Sequence, residues 1–522
     1  MDGGKSLRSG EHGANFAMIS RYILQGRWDD PHALRRLLTE AGLSIAAAEP
    51  KAELFRRCYH MLRSNTEQMD IYPASPMPIS PAHPRSSSSA HPTGISAGFS
   101  PAGQDAASGP VWPQGFYVPG RIEVFGKHND YAGGASMVTP VERGFCLVVC
   151  PRSDLQVWVA SAQTGQQVQF PLSPDLRPTV GHWSNYPMTV ARRMARNFPA
   201  LQRGAHMVFA SDLPPAAGMS SSSALIVAVF LALAEVNQVW SRPEFQREVH
   251  NLVDLAGYLA TVENGQSFGS LAGDKGVGTF GGSEDHTAML NCQAGYLSEY
   301  AYCPVRFLRR VRMPPGYVFA LGVSGVVAEK TGAALEKYNR ASGLAYKAAE
   351  LWRQATGRTE PHLAAIVQSG PDAADRLRQI IRSAGLDPSE TEALLKRVEQ
   401  FLVENEELRP AEGDALARCD MEALGPLVDR SQKASEELLG NQVPETVRLS
   451  AIARQEGAVA ACGFGAGFGG SVWALIQEKE ANDFLRRWRE RYLAEFPHHA
   501  DRAEFFTTGA GPAAFQIVPG QP

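Results

Sequence analysis

Cysteine is sparse in this 522-residue chain: the seven present (Cys58, Cys146, Cys150, Cys292, Cys303, Cys419 and Cys462) are scattered, odd in number and never spaced Cys-x-x-Cys. That pattern speaks against a disulfide framework or a thiolate zinc site and reads as reduced, buried thiols. An excess of one charge is also lacking. Lys and Arg total 50 against 54 Asp and Glu, a formal net charge of −4, so there is no basic footprint for nucleic acid. Long apolar runs are absent too. The longest, Ala224–Ala234, is about half of the ~20 residues needed to span a bilayer, and the N-terminal MDGGKSLRSGEHG has no apolar core of the secretory kind. The expectation is a soluble, cytoplasmic protein with no nucleic-acid or membrane partner. Any anion it binds must be held by local backbone and a few cations.

Hydrophobic residues make up 44% of the chain and charged residues 20%, a globular composition long enough for two or three domains with a sizeable core. Residues 14–64 read as helical. In Ala52–Arg63 the positions Leu54, Phe55, Cys58, Met61 and Leu62 recur at a helical period. Residues 1–64 are therefore expected to form a helical extension, either a docking appendage or an element that binds an unidentified protein partner. Residues 65–112 are dense in Pro, Ser, Gly and Ala, too poor in apolar surface to offset the entropy of ordering, and are expected to form a flexible linker. From about Val111 the texture changes. FYVPGRIEVFG, GFCLVVCPR and LQVWVA read as strands and SALIVAVFLALAEV as a buried helix; FLRRVRMPP and YVFALGVS are strand-like again, and long helical stretches follow through residue 440. Strands and helices mix without regular βαβ alternation, which favours an α+β fold.

Three segments carry chemistry. The first runs Asp212-Leu-Pro-Pro-Ala-Ala-Gly-Met-Ser-Ser-Ser-Ser-Ala-Leu225 into the apolar helix. Small residues let backbone approach an anion, and the helix that follows aims unpaired N–H groups and the positive end of its dipole at it. Serine hydroxyls add donors or magnesium ligands. No Gly-Lys-Ser/Thr closes the loop, so it is not of the Walker type. A serine-rich linker is the alternative, although a linker would not feed straight into a core helix. The second segment, Gly120-Arg-Ile-Glu-Val-Phe-Gly-Lys-His-Asn-Asp-Tyr-Ala-Gly-Gly134, gathers Arg121, Lys127, His128 and Asp130 on a turn after a strand. Each hydroxyl of a polyol both donates and accepts, so such a mixed set suits it; an ordinary exposed loop is the alternative. The third, Thr279-Phe-Gly-Gly-Ser-Glu-Asp-His-Thr-Ala288, places Glu284 and Asp285 side by side after a glycine turn.

Together with Gly463-Phe-Gly-Ala-Gly-Phe-Gly-Gly-Ser471, these segments resemble, in order and over residues of about 117 to 480, the motifs of the galactokinase/homoserine/mevalonate/phosphomevalonate (GHMP) kinase family. The 120–134 segment resembles the galactokinase signature in particular. The resemblance implies a two-domain fold with its active site in the interdomain cleft, divided here into 113–320 and 321–522. It implies transfer of the ATP γ-phosphoryl group to the anomeric hydroxyl of galactose or a related sugar. Pro215, Ala216, Ala217, Gly218, Met219, Ser220, Ser221 and Ser222 would hold the nucleotide, and Ser222 and Glu263 the Mg²⁺. Asp285 would be the base, with Glu284 as rival, and Arg121 the balancing cation; Lys127, His128, Asp130 and Tyr338 would contact the sugar. Departures are present. Ala216 replaces a Gly, which predicts ordinary backbone angles there. His286 stands where Gln is usual, and the interval from Glu263 to Asp285 is lengthened. Lys127 replaces a Glu that contacts a sugar hydroxyl, which raises a carboxylated or otherwise altered sugar as an alternative substrate. A non-catalytic sensor of ATP and sugar is a further alternative.

Overall fold

The computed structural model describes residues 18–67, 112–327 and 332–520. Its strands, in chain order, are β1 (Ser20–Leu24), β2 (Gln114–Phe125), β3 (Ala135–Pro151), β4 (Gln156–Ser161), β5 (Gln167–Pro171), β6 (Ala205–Ser211), β7 (Tyr296–Ala301), β8 (Arg306–Arg312), β9 (Tyr317–Val323), β10 (Ala460–Gly463), β11 (Ser471–Gln477), β12 (Glu504–Thr508) and β13 (Phe515–Pro519). A nine-stranded sheet runs β1-β13-β2-β3-β6-β4-β5, with β7 and β8 branching from β3, and a four-stranded sheet runs β10-β11-β9-β12. The α+β expectation holds: nearly all pairings are antiparallel, with β1–β13 and β4–β6 parallel.

One helix occupies the centre. Ser221–Val236 is buried on every side from Ser223 to Ala234, as an all-apolar sequence requires. It lies under β2 and β3, so its N-terminus faces the end of β2 that carries Arg121. No helix among the described residues is long and apolar enough to cross a membrane.

The N-terminal extension differs from the expectation in one respect. Residues 20–24, expected in a helix, form a strand paired in parallel with β13, from Ser20 opposite Phe515 to Leu24 opposite Pro519; an open sheet edge offers a backbone ladder that outweighs local helix propensity. The helices that follow, Pro31–Glu40 and Ile45–Glu67, dock on the large sheet. The first is capped by Asp30, whose carboxylate accepts from His32 N and Ala33 N. Both lay Leu34, Leu38, Phe55, Cys58 and Leu62 on Tyr117, Val148, Ala210 and Phe515 of the large sheet. Lys51, 1% exposed, ion-pairs through this layer with Asp212, the first residue of the glycine/serine loop. The segment expected to be a linker lies, from residue 68 to 111, outside the described residues.

The expected division at 320/321 falls inside β9, which pairs with β11 and β12. The chain then returns to the large sheet as β13. Strand pairing depends on which edge is open in space, and the order of segments along the chain does not reveal that.

Candidate active site

A cavity of about 660 Å³ lies where the large sheet, the start of the helix Ser221–Val236 and the loop between β10 and β11 meet. Arg121, His128, Asp130, Gly218, Ser222 and Asp285 all line it. The 120–134 turn and the glycine/serine loop therefore share one pocket.

The glycine/serine loop is built as an anion cradle. Ala216, Gly218 and Ser220 take left-handed backbone angles (φ 48, 79 and 57), whereas Ala217 and Met219 between them do not. Such alternation turns successive N–H groups into one concavity. Ser220 precedes the helix but makes no side-chain cap to it, so the first-turn N–H groups remain available to a ligand. The expectation of ordinary angles at Ala216 is corrected. The loop keeps a conformation suited to glycine, and the alanine carries a cost of about 1–2 kcal/mol. Met219 is also corrected: its side chain is fully buried in the core and off the cavity, and its carbonyl accepts from Arg121 N at 3.3 Å. The glycine loop before β11 closes on this cradle. A Cβ at Gly465 would come within 2.6 Å of the Gly218 oxygen, and Ser471 Oγ donates to Ala217 O at 2.6 Å.

The signature turn divides into residues that face the cavity and one that does not. Lys127, expected against the sugar, points away. It is 2% exposed, and its Nζ donates to Glu123 O at 2.7 Å and Val124 O at 2.9 Å. A buried ammonium needs acceptors, and these carbonyls supply them, with the Glu404 carboxylate accepting from its backbone N–H at 3.2 Å. Glu404 and Asn405 reach the turn from a π-helical segment, Val403–Leu408, the wide turn of which re-aims side chains; Asn405 Oδ1 accepts from Ala135 N at 2.9 Å. His128 and Asp130 do line the cavity. Burial lowers the His128 pKa to about 4, so the ring is neutral; its Nδ1 meets the Tyr131 hydroxyl at 2.8 Å and its Nε2 the Gly465 oxygen at 3.1 Å. Burial, reinforced by the Asp285 charge, raises the Asp130 pKa to about 6. Tyr338 lies on the helix Gly332–Thr356, and its side chain is outside the described residues. Its neighbour Asn339 braces the 278–280 loop, accepting from Phe280 N at 3.0 Å and donating to Gly278 O at 3.1 Å.

Arg121 joins the two halves. It is 5% exposed; one terminal nitrogen donates to Gly218 O at 2.6 Å, the other pairs with Asp285 Oδ1 at 2.7 Å, and Nε lies 3.4 Å from Glu284 Oε1. The adjacent carboxyls share this guanidinium but differ in their other surroundings. Asp285 Oδ2 accepts from Ser220 Oγ at 2.5 Å and Ser223 Oγ at 3.2 Å, which places it at the mouth of the cradle. Glu284 is more deeply buried, and burial, then the nearby Glu123 charge, raises its pKa well above the ordinary range. The lengthened interval folds out of the way: Asp274 pairs with Arg192 at 2.7 Å.

Both members of the expected metal pair, Ser222 and Glu263, line the cavity; the neighbouring Ser223, fully buried, donates its hydroxyl to Glu263 Oε2 at 2.7 Å. A first-turn helix position one residue further on turns its side chain by about 100°, and spacing alone does not say which serine faces the carboxylate. Glu263 and Ser222 offer hard oxygen donors beside the cradle, a set that fits a hard dication such as Mg²⁺.

Sequence reasoning missed two features. Glu123 lines the cavity and holds its loops together, accepting from His128 N at 2.8 Å and Gly465 N at 3.1 Å. Phe145, Trp183, Phe209 and Leu213 make the far end of the cavity apolar, with the Trp183 and Phe209 ring centroids 5.7 Å apart. These residues come from separate strands and a turn, so no local pattern announces them.

The model of the GHMP kinases N terminal domain matches residues 185–269, and that of the GHMP kinases C terminal domain matches residues 414–494. A galactokinase of Chloroflexus aggregans is 28% identical over 375 residues, covering 70% of this chain and 85% of that protein. One from Actinobacillus pleuropneumoniae serotype 3 is 26% identical over 386 residues, covering 73% and 89%. The crystal structure of Lactococcus lactis galactokinase complexed with galactose superposes with a TM-score of 0.64 at 20% identity, over 77% of this chain and 94% of that one; a likeness at that identity is one of fold.

Proposed function

The chain belongs to the GHMP kinase family, and from that premise we propose that it transfers the γ-phosphoryl group of ATP to the anomeric hydroxyl of galactose or a closely related neutral monosaccharide. The observation that carries the reading is the position of Asp285, held between Arg121 and the cradle residue Ser220 in the cavity that also contains His128 and Asp130. The apolar end at Trp183 and Phe209 suits a purine base, and the cradle, about the Gly218–Ser222 backbone, suits the phosphates.

In this reading Asp285 accepts the proton of the attacking hydroxyl. Arg121 keeps Asp285 ionised and offsets charge on the moving phosphoryl group. Glu284 is the less suited of the two carboxyls to the base role, because burial and then the nearby Glu123 charge raise its pKa and favour its neutral form. His128 and Asp130 orient the sugar. Glu263 and Ser222, which line the cavity, would hold Mg²⁺, which would supply positive charge to the phosphate oxygens. Phosphoryl transfer asks for positioning and charge balance more than for covalent participation by the enzyme.

The placement of Lys127 supports a neutral sugar over a uronic acid. Lys127 is occupied with carbonyls outside the cavity, while Glu123, Asp130 and Asp285 face into it with Arg121 as their guanidinium. A carboxylated sugar would add a negative charge to that set. The test is ADP release by the purified protein, with and without galactose, galacturonate and related hexoses, and phosphorus NMR of the product. No sugar-dependent ADP release from any neutral hexose would refute the proposal.

A further inference from the structure

His286 has no role in the mechanism above, yet it stands at its centre. It lies in the first turn of the helix Glu284–Asn291, is 2% exposed and lines the cavity. Neither ring nitrogen makes a hydrogen bond among the described residues. Its Nε2 lies 3.3 Å from Glu263 Oε2. Buried imidazoles are almost always satisfied, so two unbonded ring nitrogens on a cavity wall call for a ligand. Glu263 Oε2 in turn accepts from Ser223 Oγ at 2.7 Å, and Ser223 Oγ lies 3.2 Å from Asp285 Oδ2. Adjacent ligands of an octahedral ion with bonds of about 2.1 Å are separated by about 3 Å, which is the spacing of the nitrogen and the carboxylate here.

We propose that His286 Nε2 and Glu263 Oε2 are adjacent ligands of the nucleotide's dication, and that the imidazole shifts this site away from Mg²⁺ toward a first-row transition metal. The proposal rests on the kinase reading. Carboxylate, hydroxyl and phosphate oxygens alone are the preferred shell of Mg²⁺, a hard ion that keeps oxygen ligands; an imidazole nitrogen adds affinity along the transition series and little for magnesium. Glutamine, the residue usual at this position in the kinases the segment resembles, offers no such nitrogen.

Mn²⁺ with a non-hydrolysable ATP analogue is the probe, added to the full chain grown with ¹⁵N-histidine so that protein nitrogen is distinguished from adenine nitrogen. Electron spin-echo modulation at the Mn²⁺ frequency should show a directly bound ¹⁵N, lost in His286→Gln. Calorimetry should show the preference for the Mn²⁺ over the Mg²⁺ complex falling about tenfold or more in that variant, the scale on which ligand-shell changes act on metal affinity. Bound nucleotide without ¹⁵N modulation in the unsubstituted chain overturns the proposal, even if the variant does not fold, and leaves the kinase reading standing. No nucleotide binding with either metal overturns both.

Discussion

Replacing Asp285 by Asn removes one proton acceptor and one charge while leaving shape nearly unchanged. The loss of a well-placed base costs about 10²–10⁴ in rate, which at 1.36 kcal/mol per tenfold is about 3–5 kcal/mol of transition-state stabilisation. The fold should tolerate the change for a reason visible in the site. Arg121 loses its 2.7 Å partner but keeps Glu284 Oε1 at 3.4 Å. Burial and then the Glu123 charge raise the Glu284 pKa, with Asp285 a smaller contributor; removing the Asp285 charge moves the pKa down, toward the ionised form that pairs with Arg121. Asp285→Asn should therefore unfold within about 1 kcal/mol of the unsubstituted chain. Asp285→Asn with Glu284→Gln strands a buried guanidinium and should lose about 3–5 kcal/mol. Coupled ADP release at saturating ATP and sugar gives kcat for each variant, and urea unfolding gives stability. A kcat for Asp285→Asn above a tenth of the original, or a Glu284→Gln variant that is the slower of the two, would refute the assignment.

Three further outcomes are expected. Asp130 has a folded pKa near 6 against an ordinary 3.8, so the folded protein holds a proton that the unfolded chain releases between those values; this contribution to stability is present at low pH and is lost as pH rises through 6. Because the ionised carboxylate is the better acceptor for sugar hydroxyls, 1/KM for sugar should fall as pH drops below about 6, and a pH–KM profile of Asp130→Asn that keeps this inflection would disprove the attribution. Lys127→Met strands the Glu123 and Val124 carbonyls and should cost about 2–4 kcal/mol in urea unfolding with no change in the galactose-to-galacturonate ratio; a shifted ratio at unchanged stability would return Lys127 to the sugar. Lys51→Met leaves Asp212 without its buried partner at the start of the phosphate cradle and should lower the urea midpoint by the equivalent of about 3 kcal/mol at unchanged m, an effect that a detachable N-terminal appendage would not produce.

Where geometry depends on contiguous residues, the sequence alone was sufficient. A run of small residues entering an apolar helix predicts a concave loop at the helix N-terminus because neighbours along the chain are neighbours in the loop. A strand delivering Arg121 into a turn with His128 and Asp130 likewise carries its own geometry. The α+β class followed from periodicity, and the buried helix Ser221–Val236 from its composition. What tertiary structure alone decided are orientations and distant partners. Lys127 turns inward because carbonyls of its own strand and a carboxylate of a π-helical segment, 277 residues on, surround it. Ser223, not Ser222, meets Glu263, a matter of a fraction of a helical turn. Residues 20–24 form a strand because β13, at the other end of the chain, leaves an edge open, and the N-terminal helices belong to the core because the large sheet has an apolar face to cover. Local residue order constrains local backbone, whereas the direction of a side chain is set by which group it can satisfy in the assembled fold.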